Sequence, residues 1–136
     1  QTCALPISIA AEDSALLGLV TLLCPVILGG NTVIALSSEK QPLSAITLAE
    51  VLATSDLPAG VVNILTGSRK ELLSQIAGHM DVNAIVYAGK DAAEKKLVQE
   101  QASLNLKRVI FPTGTENPYA ILDAQEIKTT WHPVGL

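Results

Sequence analysis

The chain is 136 residues long, about one domain's worth of sequence. It is 49% hydrophobic and 16% charged, which supplies a core and excludes a disordered chain. Its formal charge of −4, with the nine basic residues scattered, excludes nucleic acid and anionic membrane as partners, since both demand clustered Lys and Arg.

Aromatics are only 3%, so the core falls to Leu, Val, Ile and Ala. Cys3 and Cys24 form no disulfide framework, CxxC pair or metal-ligand spacing, and His79 and His132 stand apart from them. These residues point to no metal site and to a reduced, cytoplasmic compartment.

Gln1-Thr2-Cys3-Ala4-Leu5-Pro6-Ile7-Ser8 resembles the in-frame translation of a common sequencing adapter. Residues 1–8 are therefore set aside as a non-native leader, and 9–136 are taken as the domain. From Ser14 to Leu36 no residue carries a formal charge, long enough to read as a membrane span. Pro25 and Gly29-Gly30-Asn31 interrupt it, and a buried helix followed by a buried strand explains it better.

Leu16, Leu19, Leu23 and Ile27 recur at helical spacing over Ala15 to Leu28, and apolar residues on the other faces predict a helix buried nearly all round. Within it Cys24 is expected to be a small buried hydrophobe with a raised pKa. Gly29-Gly30 stops the helix, and Thr32 to Leu36 reads as a central strand. Pro42 fits the first turn of the next helix, with Ile46, Ala49, Leu52 and Ala53 as its core-facing stripe.

Asp56-Leu57-Pro58-Ala59-Gly60 ends that helix, and Val61 to Leu65 reads as a second strand. Ser68 and Glu71 have the spacing of a capping box, opening a helix that turns Leu72, Leu73 and Ile76 inward. A third strand covers 84–88. Asp91 caps a helix running through Val98, with Glu94, Lys95 and Lys96 as its solvated face. Lys107 to Phe111 is a fourth strand, and Tyr119 to Leu122 a short fifth. Continuously apolar strands alternating with helices are the pattern of an α/β fold: a Rossmann-like, doubly wound parallel sheet covered on both faces.

Ligands of such sheets bind beyond the carboxyl ends of the strands, near helix N-termini. Ser37-Ser38-Glu39, Thr66-Gly67-Ser68 and Gly89-Lys90-Asp91 are the candidate positions. Glu39 can accept from ribose hydroxyls or stand as a solvated loop carboxylate. Gly67 and Gly89 admit a close backbone approach to a cofactor or serve tight turns. Neither GxGxxG nor GxxxxGK[ST] is present.

Gly29-Gly30-Asn31-Thr32-Val33-Ile34, residues 42–50, Leu57-Pro58-Ala59-Gly60-Val61-Val62-Asn63-Ile64-Leu65-Thr66-Gly67 and Asn105-Leu106-Lys107-Arg108-Val109 resemble the nucleotide-binding domain of aldehyde dehydrogenases, from about Ser14 to Pro118. The resemblance implies NAD or NADP as cofactor, with Glu39, Gly67 and Gly89 as the surviving cofactor-binding positions. It also implies the catalytic domain of the same parent chain as a partner, and a homo-oligomeric parent.

The family's chemistry uses a cysteine thiolate, a glutamate base and an oxyanion-holding asparagine. Carried across, the asparagine falls near Asp13, the ribose lysine at Leu36, the pyrophosphate turn at Gly89-Lys90-Asp91 and the base at Pro112-Thr113-Gly114-Thr115. The family's nucleophile lies beyond Leu136, so no catalytic residue is assigned here. Fold kept with chemistry replaced most resembles the degenerate second module of family-sixteen aldehyde dehydrogenases, and Val86-Tyr87-Ala88-Gly89 agrees with that placement.

Three functions follow. The chain is part of a working NAD(P)-dependent aldehyde oxidoreductase, a non-catalytic module packed beside an active domain, or an unrelated Rossmann-like binding domain. The substitutions favour a segment that is itself non-catalytic and holds a dinucleotide weakly or not at all.

Overall fold

The structure, a computed structural model, describes residues 5–113, 117–126 and 131–132. Cys3, Gly114 and Thr115 lie outside the described residues. Among the described residues, five parallel strands form one sheet: β1 (Pro6–Ile9), β2 (Val33–Leu36), β3 (Val62–Leu65), β4 (Ala84–Tyr87) and β5 (Arg108–Ile110). The helices are α1 (Leu17–Leu28), α2 (Pro42–Ala53), α3 (Arg69–Gly78), α4 (Ala92–Ser103) and the short α5 (Ala120–Asp123). The sheet order is β3-β2-β1-β4-β5, the doubly wound α/β arrangement that the alternation of apolar strands and helices predicts.

The central strand is the one the sequence reading left out. Ile7 pairs with Ile34 on one side and Ile85 on the other, so residues 6–8 belong to the heart of the sheet and the boundary drawn at residue 9 cuts through β1. Alternation along the strands divides the core. Ile7, Ile9, Leu36, Ile85 and Tyr87 pack under α3 and α4 with Leu73, Ile76 and Val98. Ala10, Val33 and Ala35 face α1 with Leu19, Leu23 and Val26.

Several local expectations are corrected. Tyr119 to Leu122 is no strand: Asn117 turns the chain, its side chain accepting from the Tyr119 N–H at 3.0 Å, and α5 follows. Helix α1 is not buried all round; Leu17 and Leu28 are 70% and 74% exposed, and Cys24 is exposed too. On α2 the residue turned fully inward is Ala45, with Leu48 beside it, while Ile46 and Ala53 face water. Ser68 makes no side-chain cap on α3. Other signals hold: Pro42 opens α2, Asp91 caps α4, and Gly30 takes the left-handed φ of +77° that ends the α1 connection. Among the described residues no helix is long and apolar enough to cross a membrane.

Candidate functional site

The chain runs from β1 outward to β3, then returns to β4 on the other side, so the order reverses between β1 and β4. That switch point is where a doubly wound sheet opens a crevice past its strand ends. A cavity of about 310 Å³ lies there. It is bounded by Ala11-Glu12-Asp13 after β1, Gly89-Lys90-Asp91 after β4, Arg69 from α3, and Tyr87 with Glu94.

Its walls are tied together by charge. Arg69 is only 5% exposed, and its Nη2 reaches Glu12 Oε1 at 2.6 Å and the Ala10 carbonyl at 2.5 Å. Arg69 Nη1 stands 3.6 Å from Glu94 Oε2, which also accepts from the Tyr87 hydroxyl at 2.5 Å. Glu12 is fixed from behind by the Ser38 hydroxyl at 2.7 Å and by the Glu39 and Lys40 amides at 3.1 and 3.2 Å. Burial resists its ionisation, but the Ser38 hydroxyl, those amides and the Arg69 charge together outweigh it and hold the carboxyl below its ordinary range. Burial, then the Glu94 hydrogen bond and charge, push the Tyr87 phenol well above its ordinary value.

The three expected cofactor positions take up other duties. Glu39 Oε2 accepts from the Arg69 backbone N–H at 3.0 Å, so this carboxylate caps α3, where a helix dipole favours negative charge. It supplies from the loop after β2 the cap that the Ser68 side chain does not. A Cβ on Gly89 would lie 2.2 Å from the Tyr87 hydroxyl; the glycine gives that phenol its room. Gly67 sits in a tight turn, where a Cβ would meet Leu72 at 3.1 Å. Of the three, Gly89 lines the cavity and Glu39 touches it through Arg69.

Glu12 and Arg69 are the residues the sequence reading passed over. Glu12 and Asp13 are the only charged residues before Glu39. Arg69 stands in the first turn of α3, where a cation opposes the helix dipole, and its burial there goes with the Glu12 and Glu94 carboxylates.

The donor set does not fit a dinucleotide. Three of the helix N-terminal amides at the strand ends already carry the chain's own carboxylates: the Arg69 N–H of α3 donates to Glu39, and the Ala93 and Glu94 N–H groups of α4 donate to Asp91. Lys90, where the resemblance places the pyrophosphate turn, is ion-paired with Asp13 at the surface. Leu36, where the resemblance places the ribose lysine, is fully buried in the core. Among the described residues no cluster of His, Cys, Asp and Glu is arranged to hold a metal ion.

The aldehyde dehydrogenase family model matches residues 8–133. The chain belongs to the aldehyde dehydrogenase family. It is 30% identical over 114 residues to an aldehyde dehydrogenase of Emericella nidulans, a match covering 82% of this chain and 23% of the relative. A mitochondrial aldehyde dehydrogenase of Leishmania tarentolae is 35% identical over 114 residues, with 79% and 23% covered. Among solved structures, the aldehyde dehydrogenase from Bartonella henselae superposes with a TM-score of 0.72 at 33% identity, covering 78% of this chain and 22% of that one. The indole-3-acetaldehyde dehydrogenase of Pseudomonas syringae, in complex with NAD+ and IAA, gives 0.72 and 33%, with 78% and 21% covered. The chain thus spans under a quarter of the length of these aldehyde dehydrogenases.

Proposed function

We propose that this chain is a non-catalytic nucleotide-binding-fold module of an aldehyde dehydrogenase-like protein, with a structural or assembly role beside an active dehydrogenase domain of its parent. The observation that carries this reading is the filling of the helix N-termini around the crevice by Glu39 and Asp91. An anion-binding amide already holding a carboxylate offers a phosphate nothing. The substitutions agree: an acid at Asp13 would repel a developing oxyanion, and Pro112 cannot serve as a base.

The finer placement, in the degenerate second module of family-sixteen enzymes within a cytoplasmic, homo-oligomeric parent, belongs to the same proposal. So does the adapter origin of residues 1–8, proposed on their composition alone, since Pro6, Ile7 and Ser8 are seated in β1. Its check is a base-for-base match of those codons to adapter sequence. Residual contact with NAD or NADP falls to Gly67 and Gly89, and to Glu39 only where it releases the Arg69 N–H.

Losing the ribose lysine and a free pyrophosphate turn removes charge-assisted hydrogen bonds of about 1.5–3 kcal/mol each. At about 1.4 kcal/mol per tenfold, that takes a micromolar site to roughly millimolar. Calorimetric titration with NAD and NADP should give dissociation constants of about millimolar or weaker, and no aldehyde-dependent absorbance of reduced cofactor should develop. Low micromolar binding of either dinucleotide overturns the reading in favour of a working oxidoreductase segment.

A further inference from the structure

We propose that Arg69 bolts the switch-point crevice: its side chain lies across the carboxyl end of β1 and excludes a dinucleotide from the place the fold offers it. The proposal deepens the non-catalytic reading and rests on it for the identity of the excluded ligand. Three observations carry it.

The first is position. Arg69 starts in the first turn of α3, and its guanidinium ends on the carbonyl of Ala10, the residue that follows β1 at the sheet's centre. A side chain there occupies the floor of the crevice, not its rim.

The second is how it is held. Glu12 and Glu94 grip the guanidinium from the β1 and α4 sides, and each is itself fixed, Glu12 by Ser38 and two amides, Glu94 by Tyr87. Swinging Arg69 out would strand two carboxylates facing each other across a half-buried gap, so a ligand has to displace the whole triad. The third is that Arg69 Nε is buried with no hydrogen-bond partner. The guanidinium is held by its two carboxylates and the Ala10 carbonyl through its Nη atoms, with the stem and Nε packed between them. The remaining cavity of about 310 Å³ is lined by Glu12, Asp13, Asp91 and Glu94 against two cations, both already paired within the chain.

The test uses the full chain and NAD as the probe. Neutralising the triad together, as Glu12→Gln/Arg69→Ala/Glu94→Gln, leaves no unpaired buried charge and is compatible with folding. A companion carries Arg69→Met with the same two glutamines, keeping the volume and losing the charge. The alanine version should bind NAD about tenfold or more tighter than the wild type, the methionine version no tighter. The proposal is overturned if the folded alanine version gains nothing, or if both versions gain alike.

Should either variant fail to fold, nitrogen-15 spectra of the wild-type guanidinium decide. Slow rotation and slow hydrogen exchange at Arg69 support the bolt, and a freely rotating, solvent-exchanging group overturns it. Low micromolar NAD binding by the wild type would sink the non-catalytic reading and the bolt with it, whereas an alanine version no better than a weakly binding wild type sinks the bolt alone.

Discussion

Arg69 carries its charge where the α3 amides already point their positive ends, so its burial is tolerated only through Glu12 and Glu94. Removing the arginine by itself leaves both carboxylates without their counter-charge. Breaking a buried ion pair from one side costs about 3–5 kcal/mol, and Arg69→Ala should fall at the lower end because each glutamate side chain keeps 27% exposure. Urea unfolding followed by circular dichroism measures it; a loss under about 1 kcal/mol would show the triad to be ornamental. The depressed Glu12 pKa fixes the sign of the acid limb. A carboxyl whose folded pKa is lowered contributes stability that is complete above its unfolded value and lost as pH falls through the folded one. Stability should therefore decline below the ordinary value of 4.5, and Glu12→Gln should flatten that decline in a stepped-pH urea series. For Tyr87 the folded pKa is raised, so its contribution is complete below the ordinary 10.0 and lost as pH climbs beyond it. In an ultraviolet titration, Tyr87→Phe should abolish a late phenolate step, and a wild type without that step speaks against the burial and the Glu94 contact that raise the phenol. Little of this site was legible in advance. Spacing marks strand ends and helix starts, and so points to Glu39, Gly67 and Gly89 as residues of the loops beyond the strands. Which carboxylate turns back onto its own chain depends on tertiary placement across 57 residues, as in the reach from Glu12 to Arg69, and no local pattern encodes it.

The elements were more readable, because β2 and β4 are buried on both faces and a continuous apolar run is the direct imprint of that. The failures came from segments too short to carry a period. Tyr119 to Leu122 is an apolar run of a length that fits strand or helix alike, and the Asn117 turn before it decided for helix. β1 has only Ile7 and Ile9 to announce it, beside a fully buried Ser8, and its adapter-like composition hides it in the sequence. Its position between β2 and β4 makes it the strand the sheet can least lose. Ile7→Ala should cost about 2–5 kcal/mol, the range for a buried isoleucine stripped to alanine. Ile46→Ala on the outward face of α2 should stay within about 0.5 kcal/mol, against the stripe expected from its helical spacing. Thermal or urea unfolding of the pair separates the two; comparable losses would mean that β1 is peripheral or that α2 packs by the face the periodicity implied.

At the scale of the whole molecule, the two faces of the sheet are unequally covered. On the α3 and α4 side the core is closed by Leu73, Ile76 and Val98. On the other side a groove of about 640 Å³ runs between α1, β4, β5 and α5, lined by Leu22, Pro25, Val86, Ile110 and Pro112, with Cys24 at its wall. Leu17 and Leu28 stand exposed on the same helix. Apolar area left in water costs about 25 cal/mol per Å², and a formal charge of −4 gives only weak repulsion against association that would cover it. The chain in solution should therefore self-associate through this face as concentration rises. Gel filtration over a concentration series should move to earlier elution, a hydrophobic dye should brighten on binding, and Cys24 should react with a thiol reagent at low concentration and be protected at high. Leu17→Glu with Leu28→Glu, both at outward positions, should restore a monomer with its cooperative melt intact. A monodisperse wild type at every concentration, dark to the dye and with Cys24 equally reactive throughout, would show that the groove is closed in solution and that the α1 face needs no cover.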